Sequence, residues 1–143
     1  MQKNGAQLVF HGVALILLGA AAGFAYLGVL TGGLPNGIQA WRFAHLNGLV
    51  NGAILVALGG ASAHLTLSPT GERWLLCLTI SGSYSNVGAS ILGAVLGQRG
   101  LDAVGPASNL LVFGLFVIAV VALLSGLVVA LVGARSSLSR RSH

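Results

Sequence analysis

Acidic side chains are almost missing from this sequence: Glu72 and Asp102 are the only two in 143 residues. Charged residues of both signs make up 6%, where a soluble domain carries about a quarter. So little charge cannot solvate a globular surface of this size, which excludes a water-soluble domain. No carboxylate falls inside a long apolar run, so a carboxylate proton relay is excluded as well. Cys77 is the single cysteine, which rules out an intrachain disulfide and a cysteine metal cage. The sequence has no HExxH pattern, no phosphate-binding glycine loop and no nucleophile–base pair. The broken helices and inverted repeats of transporters are missing too.

What is present is apolar. Hydrophobic residues make up 55% of the chain, and the mean hydropathy is +0.92. Four apolar runs, residues 6–31, 42–67, 73–96 and 107–133, each meet the ~20 residues needed to cross ~30 Å of hydrocarbon as a helix. Glycine- and proline-bearing breaks separate them, around Pro35, Pro69 and Pro106. An open sheet is excluded, because lipid offers its edges no partner. The 22 glycines fit helices that pack backbone against backbone in lipid. The expected fold is therefore all-α: a bundle of four transmembrane helices forming one domain, residues 1–134. A basic, disordered tail is expected over residues 135–143.

Four crossings put both termini on one side. That side collects Lys3, Arg73, Arg135, Arg140 and Arg141, against Arg42 and Arg99 on the other. The positive-inside rule then predicts cytoplasmic termini and a multi-pass protein of the inner (plasma) membrane. The net charge of +5 reflects this topology and headgroup contact rather than nucleic-acid binding.

Polar side chains inside such spans are costly, and each is a candidate functional residue. Helix two carries His45, Asn47 and Asn51; helix three carries Ser81, Ser83, Tyr84, Ser85 and Asn86. At ~100° per residue, Asn47 and Asn51 share a face, while His45 lies about 200–240° away from them. One helix cannot aim both groups at one pocket within a subunit. A head-to-tail ring removes the conflict by sending His45 into one subunit interface and Asn51 into the other. Counting ~1.5 Å per residue, Asn51 and Tyr84 both reach the middle of the bilayer. His11 and His64 lie near the ends of their runs and are expected at the membrane interface. A metal-ligating His45 competes here with a histidine merely bonded to a neighbouring helix, and the asparagines with simple interhelical glue.

The segment Ala44-His45-Leu46-Asn47-Gly48-Leu49-Val50-Asn51-Gly52 and the segment Gly82-Ser83-Tyr84-Ser85-Asn86, in this order on a four-span chain, resemble the hydroxylaminobenzene mutase family, which includes the styrene oxide isomerases. The resemblance implies a membrane isomerase that works without net redox change on a small aromatic substrate, either an aryl epoxide or an aryl hydroxylamine. It implies a homotrimer with haem b between subunits, His45 as the axial ligand of an iron acting as Lewis acid, and Asn51 with Tyr84 acting on the substrate. Asn47 and Asn86 are the expected substrate-binding amides. Val87 stands after Asn86 where the likeness leads one to expect a bulky aromatic. The competing classes are a haem-binding electron-transfer subunit and a structural or assembly subunit of the membrane.

Overall fold

The structure, a computed structural model, describes residues 2–34 and 37–141, with side chains from 4 to 139. The turn expected at positions 35 and 36, the last two residues of the tail, and the side chains of Lys3, Arg140 and Arg141 lie outside the described residues. Among the described residues there are four α-helices, one 3₁₀ turn and no strand: α1 Gln2–Leu30, α2 Ile38–Ala61, the 3₁₀ turn Ser62–His64, α3 Pro69–Leu96 and α4 Ala107–Arg141. All four α-helices are long and apolar enough to cross a membrane.

The helix ends differ from the apolar runs for local reasons. Helix α3 begins at Pro69, four residues before the run, because proline suits the first helical position and the Ser68 hydroxyl accepts the Gly71 N–H at 3.1 Å. It stops at Gly97, whose φ of 64° is left-handed and closes the helix with its N–H on the Gly93 carbonyl. Helix α2 ends at Ala61 rather than at 67; beyond the 3₁₀ turn the chain is extended at Leu65, and the Thr66 N–H donates to the Gly133 carbonyl of α4 at 3.0 Å. Helix α4 continues to Arg141, so most of the expected disordered tail is helical. The Ser136 hydroxyl bonds back to the Val132 carbonyl at 2.9 Å, satisfying polar groups within the helix itself.

Glycine sets the close contact between α1 and α2. Helices α1 and α2 run antiparallel with Gly19 against Gly48, Gly12 against Gly52 and Gly5 against Gly59. A Cβ on Gly52 would stand 2.6 Å from the Gly12 carbonyl oxygen, and one on Gly59 2.7 Å from that of Gly5. Only hydrogen fits between these backbones, so the small-residue face of each helix specifies the other.

Helix α3 packs on this pair through Val87, which is buried with Leu8, Leu15 and Leu55. An aromatic at position 87 would have no room there. Helix α4 packs along α3, where Gly82 meets Leu123 and Gly126 meets Thr79; its contact with α2 includes Phe43 against Phe116. Most of its remaining surface is exposed apolar side chain, such as Val120, Leu124, Val128 and Leu131, which suits lipid. At the end where Asn4 bonds Glu72 at 3.0 Å, the α2–α3 connection also meets Gly133. Both ends of the chain therefore leave the bundle on the same side.

Candidate active site

The polar residues of the spans fall into three places. The first is His45, which faces α1. Its Nδ1 lies 2.8 Å from the Gly19 carbonyl oxygen, and one turn further along α1 a Cβ on Gly23 would stand 2.8 Å from the same nitrogen. The absent side chain at Gly23 is what leaves room for the imidazole against α1. A carbonyl can only accept, so Nδ1 carries the proton and the lone pair is left on Nε2, the arrangement that prepares a histidine to ligate a metal.

The second place is a ladder of amides and a hydroxyl between α2 and α3. The Asn47 amide donates to Ser90 Oγ at 2.6 Å and lies 3.5 Å from Asn86 Oδ1. Ser90 in turn donates to the Asn86 carbonyl at 2.8 Å, and the Asn51 amide donates to the Asn47 carbonyl one turn back at 2.9 Å. Each backbone or side-chain oxygen used here would otherwise be a polar group in an apolar medium, so the ladder also ties α2 to α3.

The structure corrects one expectation at this point. Asn51 is only 3% exposed and lies in the interior of the single chain, not on a face open to a neighbouring subunit. The reason is that α3 covers the side of α2 that carries both asparagines, so the face that looked outward on an isolated helix is an internal one. The divergence of His45 from the asparagines stands: His45 bonds to α1, and Asn47 to α3.

The third place joins α1 to α3. The Tyr84 hydroxyl lies 3.1 Å from His11 Nδ1, with the two rings edge to face at 5.7 Å. Tyr84 also packs against the cluster of Leu8, Leu15, Leu55 and Val87, so the pair sits on an apolar bed. Helix α1 starts at Gln2, ahead of the apolar run that opens at Ala6, and nine residues of helix carry His11 about 13 Å from that end.

Among the described residues no group of three or more His, Cys, Asp or Glu side chains could cage a bare metal ion. A separate cavity of about 260 Å³ opens on the α4 side of α3, lined by Phe43, Phe116, Ser90 and Arg99 among others. Ser90 is the link between that cavity and the amide ladder.

Sequence comparison bears on what this constellation is for. The profile that defines the styrene oxide isomerases matches residues 4–135, nearly the whole chain and all four spans. The chain belongs to the styrene oxide isomerase family. It is thus a multi-pass membrane protein of the isomerase kind that this family name denotes. The comparison with curated proteins gave no match.

Within this isomerase, three contributors were missed by sequence reasoning: His11, Ser90 and the Gly19–Gly23 seat under His45. The seat was within reach. Gly5, Gly12 and Gly19 recur every seven residues, and pairing them antiparallel with Gly59, Gly52 and Gly48 lays His45 over α1 at that level. Nothing comparable marked His11, whose partner is 73 residues away in the chain.

Proposed function

We propose that this isomerase is a haem b-dependent enzyme, working as a homotrimer in the inner (plasma) membrane with cytoplasmic termini. It rearranges a small aromatic substrate: an aryl epoxide such as styrene oxide to an aldehyde, or an aryl hydroxylamine to an aminophenol. The observation that carries the reading is the state of His45, an intramembrane imidazole held by its Nδ1 with Nε2 left as a free ligand. An iron already in a macrocycle needs one protein ligand of this type, whereas a bare ion needs several.

His45 would hold the haem, with the Gly19 carbonyl fixing the ring orientation. Bound there, the iron supplies a Lewis acid for the substrate oxygen. The rest is done by the chain's own side chains. The Tyr84 hydroxyl and the Asn51 amide orient the substrate oxygen and stabilise negative charge that develops on it. Asn47 and Asn86 hold the α2 and α3 backbones at the separation this requires, and the Asn86 amide N–H remains as a donor for substrate. The apolar surroundings of Tyr84 keep water from a cationic intermediate, and both substrate classes partition into lipid.

The same geometry is compatible with the homotrimer of this reading. Within one copy His45 lies against α1, Tyr84 at the α1–α3 contact, and the amides at the α2–α3 contact. A head-to-tail ring lets the His45 flank of one copy meet the Tyr84-bearing flank of the next.

The test is direct. Detergent-purified protein, supplemented with haem, should show a Soret band and should convert styrene oxide to phenylacetaldehyde or phenylhydroxylamine to 2-aminophenol. Absence of the band under haem supplementation refutes the cofactor, and absence of both products refutes the reaction. The electron-transfer reading is favoured by a Soret band that shifts on reduction with neither product formed.

A further inference from the structure

His11 and Tyr84 reach each other from opposite helices, and neither has another hydrogen-bond partner among the described residues. Two polar side chains so placed in an apolar cluster are worth little as glue. A leucine–phenylalanine pair would pack these positions without desolvating anything. The histidine is therefore better explained by what it does to the phenol.

The hydrogen bond can run in two directions, and the two have opposite consequences. If Tyr84 donates to His11 Nδ1, its only proton is consumed and it can merely accept. If His11 Nδ1–H donates to the phenol oxygen, the Tyr84 proton stays free to be aimed elsewhere. A donor on the oxygen also polarises the O–H bond, so the phenol becomes a stronger donor in turn.

We propose that His11 is a positioning residue for Tyr84: its Nδ1–H donates to the phenol oxygen, fixes the ring and leaves the Tyr84 O–H directed at the oxygen of the substrate. The proposal rests on the role assigned to Tyr84 above and adds to it a residue and a proton direction. Phe10 lies edge to face with the His11 ring at 5.3 Å.

The chain has two tyrosines, so Tyr26→Phe leaves Tyr84 as the only one. In that background, full-length protein labelled with ¹³Cζ-tyrosine gives a single phenol resonance in detergent, independent of haem and of turnover. The resonance should move in His11→Leu and return toward its original position in His11→Asn, whose amide N–H sits where Nδ1–H does. Turnover should follow the same order: kcat about tenfold lower in His11→Leu with KM within twofold, and partly restored in His11→Asn. Thermal melting of the two variants in detergent should agree, which separates positioning from a folding defect.

An unmoved resonance in His11→Leu overturns the proposal, as does equal loss of kcat in the Leu and Asn variants. Full turnover in Tyr84→Phe overturns the role of Tyr84 itself. A loss in Tyr84→Phe together with an unmoved resonance overturns the positioning alone.

Discussion

His45 rests on Gly19 of the adjacent helix, Nδ1 to carbonyl oxygen at 2.8 Å, and Gly23 keeps the space beside the ring open. A methyl group at position 23 would meet the imidazole and little else, since its nearest neighbours are all ring atoms of His45. Gly23→Ala should therefore displace the ring and lower haem occupancy, read as the Soret absorbance per protein. His45→Ala should abolish the band. Gly114→Ala, where an added Cβ meets nothing within 4 Å, should leave it at the wild-type level. Full haem retention in both His45→Ala and Gly23→Ala would remove His45 as the ligand.

Tyr84→Phe deletes one hydroxyl and keeps the ring on its apolar bed. Haem content and melting temperature should be unchanged while kcat falls about 10²-fold, the usual scale for removing one donor to developing negative charge. A KM effect with kcat unaltered would reduce Tyr84 to a binding contact.

The Asn47–Ser90 bond at 2.6 Å should be measurable as a coupling between α2 and α3. In a double-mutant cycle with Asn47→Ala and Ser90→Ala, unfolding in mixed detergent should give a coupling energy of about 0.6–1.7 kcal/mol. A value of zero would make the ladder a surface of coincident polar groups rather than a strut.

The glycine seam should tolerate nothing larger than hydrogen. Gly52→Ala places a methyl 2.6 Å from the Gly12 carbonyl oxygen, with backbone on one side and Ile16 on the other. The expected loss is about 1–3 kcal/mol in the same unfolding assay. Gly60→Ala lies in the same helix with open space around it and should cost nothing measurable, or stabilise slightly through helix propensity.

Asn109 is a structural asparagine. Its side chain accepts the Gly100 N–H at 2.9 Å and donates to the Asp102 and Val104 carbonyls at 3.0 and 2.8 Å, shaping the α3–α4 connection. Asn109→Ala should expose residues 97–106 to limited proteolysis while leaving the Tyr84 and His45 surroundings intact. Equal protease resistance in mutant and wild type would show that the connection is held by other contacts.

The fold was legible because its cause is crude. Four long apolar runs with glycine and proline between them permit little else in lipid, and the structure has four such helices. Their ends were less legible, since caps such as Ser68 and the continuation of α4 past Gly133 depend on single residues that hydropathy averages away. His45, Asn51 and Tyr84 stood out as polar groups in the wrong solvent. What one helix could not reveal was its neighbours. The wheel of α2 showed that His45 and Asn51 diverge, but not that α3 covers Asn51; the position of His11 gave no sign of a partner on α3.

Among the described residues, helix α4 contributes no hydrogen bond to His45, Tyr84 or the amide ladder; every such bond there is made among α1, α2 and α3. During synthesis, the chemistry-bearing part of the chain is thus written by the time the ribosome passes Leu96. The last helix brings the chain back to the side from which it set out and presents most of its flank to lipid. Its lipid-facing positions are consequently free to drift with membrane thickness and composition, so long as Asn109, Phe116, Gly126, Gly133 and the residues facing Gly82 keep their contacts.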